Sequence, residues 1–194
     1  QRSMVTNMGA DHQLWPEAIP EAPLKACGHV HITGWALFSD PPRAAALRAA
    51  QIAHENGATV SFDPASYQVI REIGHDKFDR ITADLPVDII FPNRDEGEAL
   101  TGEREPAAIA AALRERFPGA LVALKLDRDG CYVATGDFEA HITARDIGTP
   151  VDTTGAGDGF NGAFLAHYLR HGDVAEAARF ANRVGEWVVQ RDGA

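Results

Sequence analysis

Val151-Asp152-Thr153-Thr154-Gly155-Ala156-Gly157-Asp158-Gly159-Phe160-Asn161-Gly162-Ala163-Phe164 decides how the rest of the chain is read. A small-residue turn, Gly155 to Gly157, runs into a carboxylate at Asp158 and then into an unbroken helical pattern that extends to about His171. A helix start exposes unpaired N–H groups at the positive end of its dipole, so it draws anions, phosphates especially. Glycines let that backbone approach an anion with no Cβ in the way. A carboxylate beside the anion suits a general base more than a phosphate clamp, because it otherwise repels the charge. The stretch reads as a phosphoryl-transfer site: N–H groups stabilise the transferring group and Asp158 takes a proton from the attacking hydroxyl. The alternative is a glycine-rich helix start in which Asp158 only complements the dipole. Two other glycine motifs fail on spacing. A dinucleotide fingerprint needs a third glycine where Phe160 stands, and a P-loop needs Gly-Lys-Ser/Thr where the chain has Gly157-Asp158-Gly159.

Outward from this stretch, the chain after residue 28 repeats one unit: a short apolar run, a turn and a helical pattern. The runs are His29–Thr33, Thr59–Asp63, Val87–Pro92 and Leu121–Leu126, and the helical patterns lie at about Pro42–Asn56, Tyr67–Ala83 and Pro106–Phe117. Such alternation predicts a mostly parallel sheet flanked by helices. Gly130–Ala134 and Glu139–Ala144 read as an antiparallel pair around Thr135-Gly136-Asp137. Asp173–Arg191 is a final helix, with Val174, Ala177, Ala178, Ala181, Val184 and Val188 as a core stripe. Phe160, Phe164 and Tyr168 share one face of the helix before it. In parallel sheets ligands sit beyond the carboxyl ends of strands, which directs attention to Gly34, Asp63, Asn93 to Glu96, and Lys125 to Gly130.

Composition narrows the function classes. The 194 residues are 45% hydrophobic and 24% charged, enough for one domain with a sizeable core. A formal net charge of −10 argues against a nucleic-acid or anionic-membrane surface. Cys27 and Cys131 have neither a disulfide framework nor metal-ligand spacing, which fits reduced thiols in the cytosol. No apolar run approaches about 18 residues, and the start has no signal-peptide core. The histidines show no zinc spacing; His29 and His31 alternate on one strand face and read as structural.

Asn93-Arg94-Asp95-Glu96 follows a strand directly. An amide and a carboxylate three apart at a helix start face the same way, so Asn93 can bond a phosphate oxygen while Glu96 holds a hydrated Mg²⁺. The same pair also makes a capping box.

Position by position, Asp152 to Leu165 resembles the C-terminal signature of the ribokinase-like (PfkB) carbohydrate kinases, and Asn93 to Glu96 matches that family's Asn-x-x-Glu motif. The resemblance implies a three-layer α/β/α fold with a mostly parallel sheet and a β lid. It implies transfer of the γ-phosphate of ATP, with Mg²⁺, to a hydroxyl of a sugar. Asp158 is then the base and Gly155, Ala156 and Gly157 the anion hole. Lys125 and Gly130 fall in the nucleotide-side loop, and Asn182 beside the adenine. Asp152 and Thr154 fall where a monovalent cation such as K⁺ is held. Against these stand local explanations: strand-end solvation for Lys125, local hydrogen bonds for Asp152 and Thr154, and an ordinary polar helix residue for Asn182. Two departures are visible. Asp127 stands where many members have glycine, and Asp63-Pro64-Ala65-Ser66 lacks an Asn and a phosphate-facing Arg, so Asp63 reads as a turn cap.

Residues 2–10 resemble the family's lid strand, which falls after roughly the first third of a member's chain. The expectation is one kinase domain over 1–194 without its N-terminal third, 1–10 being a lid remnant. Acceptor contacts are then expected from Arg2, Gly34 and the anion-hole side. A nucleoside acceptor, or a non-catalytic nucleotide-binding or regulatory domain, remains open, as does a homodimer through the lid.

Overall fold

The computed structural model describes residues 9–193. Arg2 and most of the expected lid strand lie outside the described residues; Gly9 and Ala10 open a short 3-10 turn, Gly9–Gln13. In chain order the elements are α1 (Glu21–Ala26), β1 (His29–Thr33), α2 (Pro42–Glu55), β2 (Thr59–Asp63), α3 (Tyr67–Ile73), α4 (His75–Thr82) and β3 (Ile89–Ile90). They continue with α5 (Arg94–Thr101), α6 (Pro106–Arg116), β4 (Leu121–Lys125), β5 (Cys131–Ala134), β6 (Glu139–Ile142), α7 (Ala156–His171) and α8 (Val174–Val188). Two compact units result, Gln1–Asp88 and Ile89–Ala194.

In the first unit, β1 and β2 are parallel, from His29 opposite Thr59 to Thr33 opposite Asp63. Val60 and Phe62 are fully buried, and Phe62 packs on Phe78 of α4 with ring centres 6.3 Å apart. The single helix expected over Tyr67–Ala83 is two. Gly74 (φ 76°, ψ 163°) closes α3 and opens α4 in a conformation that no helix interior adopts and that glycine takes without a Cβ penalty. The charged segment forming α1 carries no apolar stripe that would announce a helix, and Glu21 ties it to Lys25 and to Arg48 of α2.

In the second unit, β3 and β4 are parallel, while β4–β5 and β5–β6 are antiparallel, as the hairpin pattern predicts. Strand β3 is shorter than its apolar run, since Phe91 and Pro92 leave the ladder while staying buried. The core stripe of α8 is present: Ala177, Ala178 and Ala181 are fully buried against Phe160, Phe164, Ile89, Phe91 and Val133. Phe160, Phe164 and Tyr168 stack in succession along α7, and Phe91 meets Phe164 edge-on at 5.4 Å. Gly159 lies at the α7–α8 contact, where a Cβ would stand a tight 3.1 Å from Val188 Cγ2. Among the described residues no helix is long and apolar enough to cross a membrane.

The face of β1 and β2 carrying His29 and His31 is a hydrogen-bonded network. His29 shares hydrogen bonds with Thr59 (2.7 Å) and buried Ser61 (2.8 Å), and His31 with the same Ser61 hydroxyl (2.7 Å). Burial, then the neighbouring His31, hold His29 below the ordinary histidine range, with Asp88 acting the other way. The unfolded chain therefore binds a proton at His29 more readily than the native one. Stability from this group is complete above about pH 6.5 and is lost as pH falls toward the depressed native value. Urea midpoints measured between pH 5 and 7.5 should fall on the acid side, and His29→Gln should flatten that part of the slope.

Candidate functional site

The turn before α7 is built by its own side chains. Asp152 Oδ1 accepts from both the backbone N–H (2.9 Å) and the hydroxyl (2.8 Å) of Thr154. Gly155 then takes the left-handed conformation (φ 74°) as the residue preceding the helix. Ala156 N–H donates to Thr153 O, and no side chain among the described residues caps the helix start. Gly157 and Asp158 are the second and third helical positions, where backbone N–H groups have no partner inside the helix. Asp158 is exposed. An uncapped helix start of glycines presents donors and a positive dipole to an incoming anion.

The irregular segment leading into this turn is held at the C-terminal end of α8. Val151 and Asp152 N–H both donate to Val189 O, at 2.8 and 3.3 Å. Arg145 is clamped by Glu186, whose Oε1 accepts from the Arg145 backbone and whose Oε2 accepts from the guanidinium at 2.7 to 2.8 Å. Glu186 is 7% exposed whereas the Arg145 side chain is 72% exposed, so removing the guanidinium leaves a buried carboxylate short of its counter-charge, while removing Glu186 frees Arg145 to water.

A second wall is formed where β3 and β4 end. Lys125 N–H donates to Pro92 O (2.8 Å), and Asn93 and Lys125 form a parallel bridge just beyond β3. Both readings of Asn93 and Glu96 converge there. The capping box is complete, with Asn93 Oδ1 accepting from Glu96 N–H and Glu96 Oε2 accepting from Asn93 N–H, each at 2.9 Å. The box holds a carboxylate that is only 2% exposed at the carboxyl end of the sheet. From the same bridge the Lys125 side chain runs to α7. Its Nζ donates to Asn161 Oδ1 at 3.2 Å and lies 3.7 Å from where a Cβ on Gly157 would be. Lys125 is therefore at the mouth of α7, which sequence spacing alone does not reveal. Asn161 was not singled out in the sequence; the available signal was an amide four residues after Gly157, on a helix face that is otherwise small or apolar.

The loop after β4, expected from the resemblance on the nucleotide side, is a 3-10 turn, Asp127–Asp129. Gly130 (φ 90°) is required twice over, by its backbone conformation and because a Cβ would stand 2.1 Å from Ile142 O. Asp127 has φ 54°, the left-handed conformation that explains why glycine suits this position. Asp127 is exposed, and the ion pair of the loop is made instead by Asp129 with Arg94 at 2.7 Å. Asn182 is buried on α8. Its amide donates to Ile142 O (2.9 Å), and its side chain also bonds Cys131, whose thiol burial pushes up to about 12. This structural duty was not legible in the sequence.

In the first unit, Gly34 is buried at the start of a 3-10 turn, and a Cβ there would stand 2.2 Å from Pro64 O. Asp63 caps a turn as expected, Oδ1 accepting from Ala65 N–H at 2.9 Å. Among the described residues, no three imidazole, thiol or carboxylate groups gather as a metal cage.

Fold and site together define an α/β protein in which a glycine-lined helix start carries no side-chain cap among the described residues. The chain belongs to the pfkB family of carbohydrate kinases, whose family model matches residues 1–194. It is 34% identical over 192 residues to an ATP-dependent ribose-1-phosphate kinase of Halopiger xanaduensis, covering 99% of this chain and 58% of that protein. A 2-dehydro-3-deoxygluconokinase of Bacillus subtilis is 32% identical over 184 residues, covering 90% of this chain and 54% of the relative. A structure from E. coli described as a ribokinase II in complex with ATP and Mg²⁺ matches with a TM-score of 0.80 at 29% identity, over 93% of this chain and 58% of that one. The fold is the ribokinase-like α/β/α fold of these neighbours, and the chain spans a little over half the length of such relatives.

Because the Asp127 backbone is left-handed, Asp127→Gly should leave stability within about 1 kcal/mol of the parent, while β-branched Asp127→Val should lose more than that. Urea denaturation of the two variants checks the contrast.

Proposed function

We propose that the chain is the phosphoryl-transfer part of an ATP-dependent kinase acting on a hydroxyl of a sugar. One observation carries this: the start of α7 is uncapped, has a carboxylate in its first turn and has an ammonium beside Gly157. Asp158 takes the proton of the attacking hydroxyl, and the N–H groups of the Gly155 to Gly157 turn receive the charge that develops on the transferring group.

Mg²⁺ fits this residue set in the manner usual for nucleotide enzymes, with few protein carboxylates and the remaining positions taken by phosphate and water. Glu96 would hold it through water, and Mg²⁺ supplies neutralisation of phosphate charge. Asn93, Lys125 and Gly130 belong to the nucleotide side, with Asn182 behind the loop as its support through Ile142. Asp152 and Thr154 are candidates for a K⁺-dependent ordering of the turn; assays with and without K⁺ decide it. Gly34 and Arg2 are assigned to the acceptor side, and a homodimer would form through the lid. ATP supply and a buried reduced thiol suit the cytosol.

The acceptor is a sugar or a related alcohol. A nucleoside is the second reading, supported by a 26% identical aminoimidazole riboside kinase structure from Salmonella enterica with a TM-score of 0.79. A panel containing ribose 1-phosphate, 2-dehydro-3-deoxygluconate, fructose, ribose and nucleosides separates these. Binding of ATP without transfer to any of them would favour a non-catalytic nucleotide-binding domain. Asp158→Asn should lower kcat by at least roughly 10²-fold while leaving ATP affinity near that of the parent, measured by coupled assay and calorimetry. Equal turnover would remove Asp158 from the role of base.

A further inference from the structure

We propose that Lys125 is a catalytic residue that touches the phosphoryl group in transit, and that Asn161 is a positioning residue that holds the Lys125 ammonium at the α7 mouth. The proposal rests on the phosphotransferase assignment above and moves Lys125 from the nucleotide side of the site to the point of transfer.

Three observations lead to it. The Lys125 backbone is fixed by its bond to Pro92 O and its bridge to Asn93, so the side chain leaves the sheet from a set point. Nζ ends on Asn161 Oδ1, 3.2 Å away, beside the side-chain-free face of Gly157. Asn161 is 2% exposed and one helical turn beyond Gly157, so amide and ammonium lie along the Gly157–Asn161 face of α7, at the end of the helix that carries the N–H groups of the turn.

A lysine side chain is long and flexible, and the ammonium has three donors. Asn161 takes one of them and restricts the stem before any phosphate arrives, which is preorganisation of a charge in the sense that lowers a transition state rather than a ground state. The chemical choice at position 161 is informative. A carboxylate would orient the ammonium equally well but would cancel its charge beside the carboxylate of Asp158. A neutral amide orients without cancelling.

The test is a double-mutant cycle on the protein with ATP, Mg²⁺ and the best acceptor. Lys125→Met and Asn161→Ala should each lower kcat at least roughly tenfold with ATP KM changed less than about threefold, a split that marks a contact made in the transition state. In the Lys125→Met background, Asn161→Ala should cost no more than about twofold further, because its effect passes through Lys125. Asn161→Asp, nearly isosteric and able to keep the acceptor atom, should melt like the parent yet lose at least as much turnover as Asn161→Ala.

Additive losses, parent-like turnover in Asn161→Asp, or a Lys125→Met defect confined to ATP KM would each overturn the proposal. A second readout avoids the acceptor: calorimetric binding of ADP with Mg²⁺ and aluminium fluoride, in which the same coupling should appear. A parent that binds this mimic with the coupling intact but phosphorylates nothing on the panel sinks the phosphotransferase assignment alone. Loss of the coupling, or failure of the parent to bind the mimic, sinks the present one.

Discussion

The hydrogen bond from Lys125 N–H to Pro92 O, with the Asn93–Lys125 bridge it belongs to, is the constraint on which the site depends. It continues the parallel register of β3 and β4 three residues past Ile90, where β3 stops being a regular strand. Two consequences follow from that single register. Asn93 is held where it can cap α5 and fix the buried Glu96 carboxylate. Lys125 is held where its side chain crosses to α7. A one-residue slip in a strand reverses every side chain on it, so both groups would leave the site together.

The helix mouth itself has a different support. Its first N–H groups carry no side-chain cap among the described residues, so the turn is not secured from in front. It is secured from behind. The Thr154 N–H and hydroxyl close on Asp152, the segment before it hangs on Val189 O, and Glu186 grips Arg145. All of this is anchored by the packing of α7 on α8, where Gly159 admits Val188 and the alanines of α8 meet the ladder of Phe160 and Phe164. Apolar burial supplies the adhesion, and the polar ties fix where the turn stands relative to it.

Membership of the pfkB family makes the departures of this chain interpretable. Asp127, where the resemblance leads one to expect glycine, has a left-handed backbone, a conformation that Asp is among the few side chains to tolerate. Its carboxylate is exposed, and the ionic tie of the loop is made by Asp129 and Arg94. Gly130 fixes the path of the loop against Ile142 O.

Local signals carried much of this in the sequence. Glycine and carboxylate at a helix start announce α7 because turn conformation and dipole are properties of neighbouring residues, and the capping box at Asn93 and Glu96 is likewise closed within four positions. The alternation of strands and helices and the stripe on α8 follow from periodicity alone. The division at Gly74 was missed because a glycine between two apolar patterns does not declare its φ. Asn161, Glu186 and the second duty of Asn182 were out of reach for a stronger reason. Each acts on a partner 36 to 41 residues away, and which distant atoms a buried polar side chain meets is decided only when helices α7 and α8 pack on the sheet.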